Sequence, residues 1–241
     1  MGKRQNRNQT TNTSNVVRDP SPKRNTNLVP KTEGQRKLLN CIRHSSTLVF
    51  ATGSAGTGKT YIPSMEAARM LSAKSIEKII ISRPMVEATN SRESELAALP
   101  GDIHEKTTPW AAPILDTLKE YLGTSFVEYL MEKEVIQIVP LALMRGRSFP
   151  NAFVILDEAQ NASYDQLYLA ITRIGENTKM VITGDYIMQN DIGNVSGLGN
   201  MVKFCKEHNM NSVSYVDFTS DDIVRSPFVK QFIVAAEGKV K

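Results

Sequence analysis

Apolar positions along the chain follow two rhythms. Short, mainly apolar runs stand at 48–51, 78–82, 135–139, 153–156, 179–183 and 212–216, separated by longer stretches in which apolar residues recur at three- and four-residue spacing. Runs of four or five residues are too short for buried helices and read as strands covered on both faces; the spaced stretches read as amphipathic helices. Helical spacing occupies 36–41, 58–71, 164–172, 199–207 and 226–236. Strands alternating with helices predict an α/β fold with a mainly parallel sheet and helices on both faces. Its ligand site is expected beyond the C-terminal strand ends.

The alternation breaks between 85 and 133. There 91–99, 110–122 and 125–132 have helical spacing, and Leu99, Pro100, Gly101 and Asp102 supply turn chemistry. A mostly helical insertion of about fifty residues is predicted, longer than an ordinary crossover. Pro63 falls inside the stretch 58–71, where a missing N–H and a crowded carbonyl predict a kink or a widened first turn. Residues 1–27 hold almost no large apolar side chain and are expected to form a disordered tail, leaving 28–241 as the folded domain.

Length and charge narrow the function classes. A chain of 241 residues suffices for one core with an inserted subdomain but is short for two nucleotide-binding domains in tandem. The net charge of +4 is uneven, because residues 1–30 carry six Lys or Arg against Asp19, leaving the remainder near neutral. Such an arm suits weak attraction to phosphates or simple solubility. Two separated cysteines, Cys41 and Cys205, and three scattered histidines give no disulfide framework and no zinc pattern. No apolar run reaches membrane-spanning length and no hydrophobic signal core is present, so a reducing, cytoplasmic setting without membrane contact is expected.

The densest chemistry lies just after the first apolar run. Gly53, Ser54, Ala55, Gly56, Thr57, Gly58, Lys59 and Thr60 fit G-x-x-x-x-G-K-[ST], the phosphate-binding loop. Glycines let the backbone curl round a polyphosphate, so that main-chain N–H groups and the following helix N-terminus face its oxygens. Lys59 is positioned to neutralise β/γ-phosphates and Thr60 to place a hydroxyl on Mg²⁺. Upstream, Gln35 has the donor and acceptor needed to bond adenine.

Four apolar residues at 153–156 deliver Asp157 and Glu158 at a strand tip, followed by Gln160. Asp157 suits Mg²⁺ with its water shell, and Glu158 suits general-base work on the water that attacks the γ-phosphate. The run 180–183 ends at Gly184 and Asp185, with Gln189 and Asp191 beyond; Asp185 and Gln189 are candidate sensors of the γ-phosphate. Arg83, Arg145, Arg147 and Arg225 are candidate phosphate clamps. With one nucleotide domain per chain, the expected source of such an arginine is a neighbouring subunit. Trp110 is a candidate for base stacking.

These segments together resemble the PhoH-like ATPases, phage-borne members in particular. The matching text includes Pro30 to Gln35, the loop through Tyr61, Ser82 to Ala88, Pro140 to Arg147, Phe153 to Asn161, Met180 to Asp185 and Asp222 to Pro227, spanning nearly all of 28–235. The resemblance implies a single RecA-like P-loop core of the kind found in helicases, ATP hydrolysis with Mg²⁺, and a role in RNA or stress-related metabolism. It adds Tyr61 to the expected nucleotide-binding residues. Three residues rather than the usual two separate Asp185 from Gln189, and Pro63 stands where a small helix former is usual. Some relatives carry a PIN nuclease domain in front; none is expected here.

The resulting expectation is an ATPase that couples hydrolysis to single-stranded RNA or DNA and assembles into a homo-oligomer, a hexameric ring being the expected form. A slow nucleotide-switched binding module is the alternative. A kinase is disfavoured by the paired acids, which suit water as nucleophile.

Overall fold

Leu48–Gly53 forms β1, every residue of it buried, and at its C-terminal end the chain turns through the glycine-rich loop into α2, Tyr61–Ser72. The computed structural model describes residues 28–44, 46–84, 103–185 and 196–237, with only the backbone over 103–106. The expected tail, the helix expected at 91–99, Gln189 and Asp191 lie outside the described residues.

The other strands are β2 (Lys78–Ser82), β3 (Ile136–Ile138), β4 (Ala152–Leu156), β5 (Lys179–Gly184) and β6 (Val213–Phe218). They form one six-stranded sheet in the order β3-β2-β4-β5-β1-β6, and every pairing is parallel. The helices are α1 (Glu33–Arg43), α2, α3 (Ile103–Leu122), α4 (Thr124–Glu132), α5 (Tyr164–Ile171), α6 (Gly197–Glu207) and α7 (Pro227–Glu237). Alternating strand residues feed two separate cores. Val49, Ile79, Phe153 and Val181 pack with α1 to α4, while Phe50, Ile80, Val154 and Ile182 pack with α5 and α6. The expected α/β architecture with a parallel sheet is therefore the one observed.

Three differences from the sequence expectations have physical causes. Helix α1 begins at Glu33 rather than 36 because the Thr32 hydroxyl caps it, accepting from the Gln35 N–H at 3.2 Å. Helix α3 runs through Pro109 and Pro113 and starts seven residues before the expected 110. Burial of Ala111, Ile114, Leu115, Leu118 and Leu122 offsets the roughly 3 kcal/mol that an interior proline costs. Pro63 sits in the first turn of α2, with Ile62 N–H bonded to Gly58 O (3.1 Å) and Ser64 N–H to Thr60 O (3.2 Å) on either side. A first-turn residue has little ladder to lose.

Helix α1 is anchored to α2 by the buried Glu66, which takes Arg43 at 3.0 Å and Arg69 at 2.7 Å. It is tied to the chain after β6 by Asp222, which accepts from Gly34 N–H (2.9 Å) and Thr219 N–H (3.2 Å). Burial alone would raise this carboxyl's pKa; hydrogen bonds from Thr32, Gly34 and Thr219 hold it below the ordinary range instead.

Candidate functional site

Strand β5 lies between β1, which carries the loop, and β4, which carries the acids. The register pairs Thr52 with Gly184 and Leu156 with Ile182, so three strand tips end side by side. That adjacency brings the loop, the paired acids and Asp185 to one cleft of about 650 Å³. Its walls also include Leu28 and Val29 ahead of α1, Tyr61 and Met65 of α2, and Pro113, Thr117 and Glu120 of α3.

Three loop glycines have positive φ, Gly53, Gly56 and Gly58, and the last two face neighbours that line the cleft. Gly56 has φ +74° and Gly58 φ +89°, a region that side-chain-bearing residues rarely enter. A Cβ on Gly56 would meet Arg225 Cγ at 2.8 Å, and one on Gly58 would meet Gln35 Nε2 at 2.8 Å. Both neighbours brace the loop from outside. Gln35 donates from Nε2 to Thr57 O (2.9 Å) and accepts the Lys31 N–H at Oε1 (2.8 Å). Its amide is thus engaged as a strut between α1 and the loop, which changes the expectation that it reads a base: one donor and one lone pair are left for that.

Lys59 Nζ donates to Gly53 O (2.5 Å) and Ser54 O (2.6 Å). Burial pushes its ammonium below the usual lysine range, against the pull of Asp185, Glu158 and Asp157. Thr60 Oγ1 donates to Asp157 Oδ1 at 2.9 Å, and Thr183 of β5 donates a short hydrogen bond to the same oxygen. The loop corner and the acidic corner therefore touch. A hydroxyl and a carboxylate, both hard oxygen donors, suit Mg²⁺, which retains several waters and takes one or two protein ligands. Thr60 and Asp157 are the residues that would hold it.

Glu158 has φ +54° and ψ +38°, a left-handed conformation costing on the order of 1–3 kcal/mol in a residue with a side chain. The side chain is held by Gln160, whose Nε2 donates to Glu158 Oε2 at 2.5 Å while its Oε1 accepts the Asp185 N–H at 3.0 Å. Burial raises the Glu158 pKa and the Asp157 charge raises it further; the Gln160 bond, Arg83 and Lys59 pull the other way. A carboxyl tuned upward in a cleft is suited to taking a proton near neutral pH.

Gln160 is buried and joins the β4 acid to the β5 tip. The sequence alone assigns it no role, since an amide two residues past an acid carries no periodic signal. Thr183, at the end of an apolar run, is equally silent there. Because the Gln160 bond favours the charged carboxylate, Gln160→Ala is expected to raise the Glu158 pKa above its already elevated value. Carboxyl ¹³C NMR of labelled glutamate measures this directly, and an unmoved titration would show that the bond does not act on Glu158.

The candidate arginines divide. Arg225 lines the cleft of its own chain, and Val224 N–H donates to Gly56 O at 2.9 Å. The approach of Arg225 to the loop is within one chain, whereas the expected source of such an arginine was a neighbouring subunit. Arg83 acts on the charge of Glu158. Arg145 and Arg147 are exposed on the flank beyond Met144 and do not line the cleft of their own chain. Trp110 borders a small crevice with Ser82, Arg83 and Asp157; it does not line the main cleft, which Asp157 also lines.

A family model described as PhoH-like protein matches residues 27–237. The chain is 42% identical over 207 residues to the PhoH-like protein of Bacillus subtilis, covering 85% of this chain and 62% of that one. It is 40% identical over 222 residues to Protein PhoH of Escherichia coli K12, covering 90% and 59%. The chain thus spans about three fifths of the length of these curated relatives. Among solved structures, the Pif1 helicase from Candida albicans aligns with TM-score 0.41 and 13% identity over 86% of this chain and 43% of that one. Bacteroides sp Pif1 in complex with ADP-AlF4 aligns with TM-score 0.33 and 15% identity, over 80% and 43%. No helix of the described residues is long and apolar enough to cross a membrane.

Proposed function

The chain belongs to the PhoH-like protein family, and from that premise we propose that it is a Mg²⁺-dependent ATPase whose cycle is coupled to single-stranded RNA or DNA. The observation that carries the hydrolytic reading is the 2.9 Å contact between Thr60 and Asp157, with Glu158 following Asp157 and Lys59 preceding Thr60 in the chain. It joins a polyphosphate cradle to a general base.

In this reading the loop N–H groups and Lys59 bind the β- and γ-phosphates of ATP. Mg²⁺, when bound, offsets phosphate charge and fixes the triphosphate's orientation. Glu158 accepts a proton from water as the water oxygen bonds to the γ-phosphorus; the bond from that phosphorus to the β–γ bridging oxygen breaks and its electrons leave with ADP. Gln160 holds Glu158 in place. Through the Asp185 N–H it also links the base to the tip of β5, where Asp185 would respond to the γ-phosphate. The basic arm of residues 1–30 supports attraction to a nucleic acid strand. Assembly into a ring, with a hexamer as the expected form, would bring several such sites onto one strand.

Phosphate release measured with ATP and Mg²⁺, with and without single-stranded RNA or DNA, tests the whole reading, alongside particle mass in solution. Hydrolysis that rises with strand and stops in EDTA is expected. No phosphate release under any of these conditions would overturn it. A strand that binds and stimulates nothing would reduce the protein to a nucleotide switch.

Arg225→Ala is expected to keep ATP binding and slow hydrolysis about 10²-fold, the usual cost of removing one charge-stabilising donor. Because Arg225 meets the loop of its own chain, mixing this variant with Lys59→Ala is expected to restore nothing. Recovery of activity in the mixture would show that the arginine works across subunits.

A further inference from the structure

The two arginines that do not reach the cleft form part of a different surface. The 3-10 turn Leu141–Met144 buries Leu141 and Met144 in the core shared with α5 and leaves Leu143 48% exposed. Helix α5 packs against this turn, and its Tyr168 is 60% exposed. Just past α5, Arg173 Nη1 donates to Arg147 O at 3.2 Å, which closes the turn and the helix end into one patch.

Among the described residues, the positive charges of this patch are held without carboxylates. Arg147 donates from Nη2 to the Gln137 amide oxygen (2.6 Å), and its guanidinium lies 5.2 Å from the Phe149 ring centroid. Arg173 is held by a main-chain oxygen and the Thr172 hydroxyl. Arg145 is exposed and makes no hydrogen bond or ion pair among the described residues. Between Arg145 and Arg147, Gly146 adopts φ +76°, and nothing lies within 4 Å of where its Cβ would be. The backbone there is open to close approach by an anion.

Neutral acceptors fix guanidinium groups without cancelling their charge, so Arg147 and Arg173 are pre-oriented cations beside a third, exposed one. Fixed arginines around the turn, and an exposed aromatic ring on the helix that packs against that turn, match the two repeating features of a single nucleic acid strand, its phosphates and its base faces. A folded protein partner would call for a broader apolar patch than Leu143 and Tyr168 provide.

We propose that Arg145, Arg147 and Arg173, together with Tyr168, form a contact surface for a single-stranded polynucleotide, with the guanidinium groups on successive phosphates and the phenol ring on a base. This rests on the reading of the protein as a strand-coupled ATPase and names where the strand touches.

Fluorescence anisotropy with short labelled oligouridylate and oligothymidylate, titrated across salt concentrations, tests it. Arg145→Ala/Arg147→Ala is expected to flatten the slope of log K against log salt by about 0.7 for each phosphate that the variant no longer neutralises. Arg145→Lys/Arg147→Lys keeps the charge and is expected to keep the slope. Tyr168→Ala is expected to weaken binding by about fivefold or more and to leave strand-free ATP hydrolysis unchanged. Each variant is compared at a melting temperature matched to wild type. Crosslinks from a 4-thiouridine oligonucleotide supply a measurement without substitution, and they are expected on the peptide that contains Tyr168.

Wild-type binding with unaltered affinity and salt slope in the variants, or crosslinks confined to other segments, would overturn this surface and leave the ATPase reading intact. Failure of the wild type to bind either strand would remove the nucleic-acid part of that reading and this surface with it. Phosphate release, measured separately, would still report on the ATPase.

Discussion

Glu158→Gln is expected to bind ATP as wild type does and to release phosphate about 10²–10⁴-fold more slowly, the range that a general base contributes. The exchange keeps the shape of the side chain and its bond to Gln160 but removes the lone pair that takes the proton. The same assignment fixes the sign of a pH effect. Burial and the neighbouring Asp157 raise the Glu158 pKa, so the basic form is lost at a higher pH than for an ordinary glutamate as acid is added. The acid limb of the wild-type rate profile is therefore expected above the usual carboxylate range and is expected to be missing in the variant. Nucleotide binding by fluorescence, single-turnover phosphate release and the pH profile together check this. A Glu158→Gln protein that hydrolyses ATP at the wild-type rate would remove the residue from the chemistry.

Lys59→Ala is expected to fail one step earlier, at binding. The ammonium is buried at the loop, beside Asp157, Glu158 and Asp185, and it lines the cleft that the loop would share with phosphate. Truncating one partner of a buried charged pair costs roughly 2–5 kcal/mol, which corresponds to about 30-fold to several-thousand-fold in Kd. A protein that binds its ligand only when folded is stabilised by RT ln(1 + [L]/Kd), so the wild-type melting temperature should rise with added non-hydrolysable ATP analogue. In Lys59→Ala that rise is expected to vanish while the ligand-free melting temperature stays close to wild type. Equal nucleotide-induced stabilisation in both proteins would show that Lys59 does not hold the phosphates. The two variants separate cleanly, since Glu158→Gln keeps the stabilisation and loses turnover.

Most of the fold was legible because its determinants are local. All six runs are strands, since four or five mainly apolar residues have few other stable forms, and the observed bounds differ from the expected ones by at most two residues. The phosphate loop was legible for a similar reason: its glycine spacing is a backbone requirement written into adjacent residues. Helix α3 was less legible because its continuity through Pro109 and Pro113 depends on what it packs against, and a single sequence does not state that.

The candidate site was legible one residue at a time and illegible as a set of partners. Lys59, Thr60, Asp157, Glu158 and Asp185 announce themselves by residue type at strand ends, and they line one cleft. Gln160 and Thr183 look ordinary in the sequence and gain their roles only when β5 is inserted between β1 and β4. Gln35 had a chemically sound expectation as a base reader. In the fold its amide is engaged by Thr57 and Lys31.

By itself the amino-acid sequence determined which short segments become buried strands, which loop can wrap a polyphosphate, and which acids stand ready at a strand tip, because hydrophobic period and glycine spacing act over a few residues. The tertiary structure decided the strand order, and through it that Thr60 meets Asp157, that Gln160 bridges to Asp185, that Arg225 lies over its own loop and that Arg145 and Arg147 face elsewhere. These outcomes depend on contacts between residues far apart in the chain, such as the pair 60 and 157, whose meeting is set by how two cores pack on opposite faces of one sheet.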